Sequence, residues 1–249
     1  MADQHLIDPL AARLDQIIDA HREVMLPDGR NLLATERNAL VTFARANGRR
    51  SRKLWRWVEI SDHGRVTKAD LAWCLLDDIT ALARCTQIQT LFLSCNQISD
   101  ISALTRCGEL VKLELGLNEL RDISALASCR RLEKLSLIRN EVADISALAA
   151  CARLTDLDLR YNRLADISAL ASCSMLERVN LGFNHRLSDI SALESCPRLR
   201  RVDVLGTHPS ETSAALIGKL QARGVTVTPP EWRWPLPGVR LSAGRGGDP

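Results

Sequence analysis

The chain has 249 residues, 46% of them apolar and 25% charged, with a formal net charge of +3 at neutral pH. This is the composition of a soluble globular chain long enough for one or two domains with a sizeable core. It excludes global disorder, and so small a charge argues against nucleic acid or an anionic membrane surface as the partner. No window approaches the run of about 18 apolar residues that a membrane-spanning helix needs. The first residues lack the basic stretch and apolar core of a signal peptide, so a cytoplasmic chain is expected.

In chain order, Leu6, Leu10, Leu14, Ile17, Ile18 and Val24 recur close to helical spacing. Pro27, Asp28 and Gly29 mark a turn. A second helical stretch is predicted from Thr35 and Asn38 through Phe43 and Ala46, ending at Asn47 and Gly48. The basic run from Arg49 to Lys53 reads as a solvated face; a nucleic-acid site calls for a wider basic field with interleaved aromatic residues.

From Ile88 the chain repeats every 22 residues, with units beginning at Ile88, Leu110, Leu132, Leu154 and Leu176. The fifth unit carries one extra residue, His185, and ends at Arg198. The shared pattern is L-x-x-L-x-L-x-x-N, an apolar residue two places on, then D-I-S-A-L-x-x-C-x-x. A degenerate unit precedes the series at Val66, and another follows at Leu199, where the repeat dissolves. In the L-x-L portion the leucines alternate with a polar residue, which puts them on one face of a short strand. Such a unit buries its apolar face only against its neighbours. The asparagines Asn96, Asn118, Asn140, Asn162 and Asn184 can both donate to and accept from backbone where the chain turns inward. The aspartates at 100, 122, 144, 166 and 189 suit the cap of a short helix or 3₁₀ turn that runs to the cysteine. Each unit is therefore predicted to be a strand, a turn and a short helix. Beyond them, the stretch from Ser210 reads as a helix capped by Ser210 or Thr212 and ended at Gly224, with a last strand behind it. The Pro- and Gly-rich tail 229–249 is expected to lack regular structure. Its Trp232 and Trp234 either fold back on the last repeat or serve as a binding segment.

These units resemble leucine-rich repeats of the 22-residue class, as in bacterial internalins and the regulatory subunit of protein phosphatase 1. The resemblance covers roughly residues 55–228. It implies an α/β fold: a right-handed solenoid with a concave parallel sheet, short convex helices or 3₁₀ turns, and a helical N-terminal cap. Glu36, Arg37, Ala39, Leu40, Trp57, Gly64, Arg65, Val66, Thr67 and Leu71 are similar to such a cap, with Trp55 as an alternative to Trp57. Three regions follow: a helical region and cap over 1–65, the solenoid over 66–228, and the tail over 229–249. The resemblance also implies protein binding on the concave side, without naming the protein; a regulatory subunit acting on an enzyme such as a phosphatase is the alternative.

Six cysteines, Cys85, Cys107, Cys129, Cys151, Cys173 and Cys196, occupy one repeat position, three residues after one leucine and three before the next. That places them on the apolar face, where a reduced thiol packs as a small hydrophobe. Paired C-x-x-C spacing is missing, so structural zinc is not expected. The five histidines sit at no metal-ligand spacing and His185 reads as a loop residue. No catalytic, cofactor or metal residues are assigned.

The register predicts which side chains face a partner: positions 3, 5, 7 and 8 of each unit point outward. Position 3 is mostly basic and position 5 mostly acidic, so the two columns can satisfy one another. Position 8 reads Trp73, Cys95, Leu117, Arg139, Tyr161, Phe183 and Gly206. Aromatic residues and arginine are the usual anchors of interfaces. The partner-binding set is therefore Trp73, Phe92, Glu114, Ile138, Arg139, Asp158, Arg160, Tyr161 and Phe183, unless the rings simply pack on neighbouring rungs. The partner is expected to be a protein, not nucleic acid or membrane.

Overall fold

The computed structural model describes Glu36 and residues 58–228. The expected helical stretches at 5–25 and 35–46, the basic run at 49–53, Arg37, Ala39, Leu40, Trp55, Trp57, Trp232 and Trp234 lie outside the described residues.

Nine strands form one sheet in chain order. They are β1 (Val58–Ile60), β2 (Val66–Asp70), β3 (Thr90–Phe92), β4 (Lys112–Glu114), β5 (Lys134–Ser136), β6 (Asp156–Asp158), β7 (Arg178–Asn180), β8 (Arg201–Asp203) and β9 (Thr226–Thr228). β1 pairs antiparallel with β2, and every later pair is parallel. The repeat sets the register: Leu113, Leu135 and Leu157 stand side by side on consecutive strands. Five-residue 3₁₀ turns, Thr80–Arg84, Ser102–Arg106, Ser124–Ser128, Ser146–Ala150, Ser168–Ser172 and Ser191–Ser195, return the chain between strands. The degenerate units at Val66 and Leu199 both keep their strand. After β8 the turn is replaced by a true helix, α1 (Glu211–Ala222), whose N-cap Ser210 accepts from the Ser213 amide at 3.3 Å.

The third regular repeat shows how the core is built. Leu132, Leu135, Leu137, Val142, Ile145, Leu148 and Cys151 are all 3% exposed or less. Each buried aliphatic side chain contributes about 1.5–3 kcal/mol relative to its exposed state. The unit has no second layer of its own, so that contribution exists only while the neighbouring rungs are in place.

Two polar ladders tie the rungs. Asn118 donates to the carbonyls of Leu93 and Leu115, both at 2.9 Å, and accepts from the amide of Ile98 at 3.0 Å. Asn96, Asn140, Asn162 and Asn184 make equivalent bonds one rung apart. The cysteines form the second ladder. Cys129 Sγ donates to Leu104 O at 3.6 Å and Cys151 Sγ to Leu126 O at 3.4 Å. All eight cysteines are free thiols, and the six ladder members are buried. Burial pushes the thiols of Cys85, Cys129 and Cys173 up to about 12 and those of Cys107 and Cys151 up to about 11. They are protonated packing groups.

The aspartates cap as expected but from one place further back. Each accepts from the serine amide two residues on, at 2.7–2.8 Å for Asp100, Asp122, Asp144, Asp166 and Asp189. The residue flanking the 3₁₀ turn is the intervening isoleucine, whose side chain is buried in the core. At the N-terminal end, fully buried Glu36 accepts from the Val66 amide and, at 3.3 Å, from the Arg65 guanidinium. This ties Glu36 to the start of β2.

Candidate functional site

On each strand from β3 to β9 the middle residue is buried and its two neighbours face outward. These outward columns enclose a groove of about 420 Å³ spanning β4 to β9, lined at positions 3 and 5 by Lys112, Glu114, Lys134, Asp158, Arg178 and Arg201 among others. The charges are only partly paired across the columns. Lys112 meets Glu114 at 2.8 Å, but Arg178 pairs within its own column with Asp156, and Asp158 turns to Arg160 at 2.7 Å. Among the described residues Lys134 and Arg201 have no carboxylate partner.

Position 8 forms a rim beside this groove, and its backbone explains why it stands out. Trp73, Cys95, Leu117, Arg139, Tyr161 and Phe183 all have φ between +54° and +60°. Side chains there clash with their own backbone at a cost of about 1–2 kcal/mol each. The conformation is held because each amide donates to the next rung: Leu117 N to Ile138 O at 2.7 Å and Tyr161 N to Gly182 O at 3.0 Å. The asparagine one residue later locks the turn from inside. Periodicity in the sequence marks the position as outward but gives no sign of its left-handed backbone, since six of these seven repeats carry a side chain there.

The expected partner residues fall into separate groups. Arg139, Tyr161 and Phe183 come together. The Tyr161 and Phe183 rings stack with centroids 4.3 Å apart and planes 5° from parallel. The Arg139 guanidinium lies 4.9 Å from the Tyr161 centroid. Asp158 and Arg160 form one ion pair, half-buried between groove and rim. Phe92 and Glu114 share Lys112, whose ammonium lies 4.6 Å from the Phe92 centroid. Ile138 is half-buried beside Gly116. Trp73 stands apart, 79% exposed, two residues before the exposed Leu75. Lys134, Asp156, Arg178, Asn180, Arg201 and Asp203 line the groove but were not in the expected set. Their membership of columns 3 and 5 was the available signal. At the fifth repeat the inserted His185 is exposed, and its carbonyl accepts from His208 Nδ1 at 3.0 Å. Among the described residues no three His, Cys, Asp or Glu side chains are placed to hold a metal ion. No described helix is long and apolar enough to cross a membrane.

Comparison with known proteins agrees with this architecture. The family described as Leucine Rich repeats (2 copies) matches residues 130–172 and 152–195. An internalin of Listeria monocytogenes is 30% identical with a TM-score of 0.59, covering 62% of this chain and 44% of its own. This chain thus spans less than half the length of that internalin. Internalin C2 of the same organism is 24% identical with a TM-score of 0.50, over 65% of this chain and 78% of its own. A leucine-rich repeat protein of Leptospira interrogans shares the fold at 19% identity with a TM-score of 0.55, over 59% of this chain and 38% of its own. No curated protein sequence matches. With its 22-residue register, asparagine ladder and parallel sheet, the chain is a leucine-rich repeat protein.

Proposed function

We propose that the protein is a binding scaffold that recognises a partner protein through the groove of the sheet and its adjoining rim. The observation that carries this reading is the groove itself. Its backbone repeats from strand to strand, while its outward side chains change in charge and size. Two of its cations, Lys134 and Arg201, have no partner within the described chain, and the rim beside it exposes Trp73, Leu117 and Tyr161. Exposed aromatic and apolar groups next to unpaired charge are the usual ingredients of a protein interface. The buried, protonated thiols support a binding role over a catalytic one, and free thiols accord with a reducing compartment such as the cytoplasm.

The test is affinity capture from a lysate of the source organism. Wild type is compared with a groove variant, Lys134→Glu with Arg201→Glu, and a rim variant, Tyr161→Ala with Phe183→Ala. Each is first shown to be folded by circular dichroism. A protein retained by wild type and lost from the groove variant is the expected result. Equal retention by all three would move the site away from this face.

A further inference from the structure

We infer that the groove takes an extended acidic segment of the partner protein, which sets two carboxylates four residues apart against Lys134 and Arg201. This rests on the binding reading above and names the chemistry of what binds. The two edges of the groove differ in sign. The first position of each strand from β4 to β8 is basic except at Asp156, whereas the third carries Glu114, Asp158 and Asp203. All of these carboxylates are engaged within the chain. Lys112 holds Glu114 at 2.8 Å, Arg178 holds Asp156, and Arg160 holds Asp158 at 2.7 Å. Asp203 accepts from the Leu205 amide at 3.0 Å and from the Asn180 side chain at 3.3 Å. The basic edge is only half satisfied. Lys134 and Arg201 meet no carboxylate among the described residues, and both are exposed. What the groove leaves open is therefore positive charge, held at two fixed places.

The register sets the distance between those places. Lys134 stands beside Asp156, Asp156 beside Arg178 and Arg178 beside Arg201 on successive strands. Three strand spacings of about 4.8 Å put the two free cations about 14 Å apart. In an extended chain lying across the strands, residues i and i+4 project to one side and are about 13 Å apart. A helix covers that distance in about nine or ten residues, whose side chains at about 100° per residue point to different faces. The span between the two acids passes the Arg178–Asp156 pair, which is neutral in itself. A nucleic-acid backbone fits poorly. It carries a phosphate on every residue, and some of these would lie against Glu114, Asp158 and Asp203, about 7 Å across the groove from the basic edge. Two spaced carboxylates on a polypeptide avoid that repulsion.

A phage-displayed library of random dodecapeptides tests this without knowledge of the partner. It is panned in parallel on the full-length protein and on Lys134→Ala with Arg201→Ala, both first shown to be folded by circular dichroism. Acid pairs four residues apart should be enriched on wild type and not on the variant. The strongest peptide is then synthesised and its affinity read by fluorescence anisotropy. Lys134→Ala and Arg201→Ala should each weaken it about fivefold, the upper end for an exposed ion pair, and amidation of either acid in the peptide should do the same. Lys68→Ala should leave the affinity unchanged, since that ammonium is paired with Glu59 at 2.6 Å, away from the groove. No enrichment, enrichment without an acidic bias, or an equal bias on the variant would each overturn the inference. So would tighter binding by a thymidine dodecanucleotide than by the selected peptide. Non-acidic peptides that are lost on Tyr161→Ala with Phe183→Ala would sink this inference while leaving the binding scaffold standing on its rim.

Discussion

The rings of Tyr161 and Phe183 stack face to face, with centroids 4.3 Å apart, because two rungs of one parallel sheet hold them there. Their backbones sit on adjacent turns in the same left-handed conformation, with φ of +55° and +58°. The strand spacing of about 4.8 Å then brings equivalent side chains to stacking distance without a dedicated pocket. The same arithmetic applies along the whole rim, and several expectations follow from it and from the ladders beneath.

Position 8 stores strain that a smaller residue would release. Leu117 has φ of +58° and is 43% exposed, so its side chain contributes little burial in return. Leu117→Gly removes the steric cost, offset in part by the greater chain entropy of glycine when unfolded. The net effect should be neutral to stabilising by about 1 kcal/mol. Thermal denaturation reads it directly, and a drop in midpoint of several degrees would contradict the strain account.

Gly206 is required twice over. Its φ is +71°, and a β-carbon there would lie 2.9 Å from Phe183 Cδ1. Gly224 has φ of +84° but open space around it. Gly224→Ala should therefore cost about 1 kcal/mol from backbone alone, and Gly206→Ala should cost more. Combining Gly206→Ala with Phe183→Ala should recover the excess, a coupling that a double-mutant cycle by urea denaturation measures. Strict additivity would show that the ring and the glycine do not touch.

Removing one ladder asparagine strands a buried backbone amide. In Asn118→Ala the Ile98 amide loses its partner, while the Leu93 and Leu115 carbonyls each lose one bond but still accept from Asn96 and Asn140. With an orphaned group costing about 1–3 kcal/mol, the loss should fall in that range. Chemical denaturation checks it. A loss below 1 kcal/mol would mean that water replaces the amide.

The cysteine ladder predicts both reactivity and a pH dependence. In native protein at pH 8 only half-buried Cys74 and Cys95 should react quickly with a disulfide reagent, and the six buried thiols only after unfolding. Folding raises Cys129 from an ordinary value near 9 to about 12, and its neighbours similarly, through burial. Below pH 9 both states hold the proton and the thiols leave stability unchanged. Between pH 9 and 12 the unfolded chain releases protons that the native state keeps, so stability should fall as pH rises. Replacing Cys129 and Cys151 with alanine should flatten that decline, as urea titrations across this range would show.

Much of this could be read from the chain because a repeat protein has few degrees of freedom. A 22-residue period with leucines at fixed places leaves one way to bury them, which is why strands, asparagine bridges and buried cysteines were all legible. Aspartate capping was also legible, though the turn begins one residue later than its cap position suggested: the isoleucine between must reach the core. The site was legible only as columns. Periodicity says that position 8 faces out; it cannot say that Arg139, Tyr161 and Phe183 touch while Trp73 stands alone.

The sequence by itself determined the architecture, since hydrophobic spacing and a hydrogen-bonding asparagine act within one repeat and its neighbour. Tertiary structure alone decided which outward charges find partners. Lys112 and Glu114 neutralise each other along one strand, Arg178 reaches across to Asp156, and Lys134 and Arg201 are left facing the groove. Those outcomes depend on ångström-scale side-chain reach across strands set by the sheet, which no one-dimensional pattern encodes.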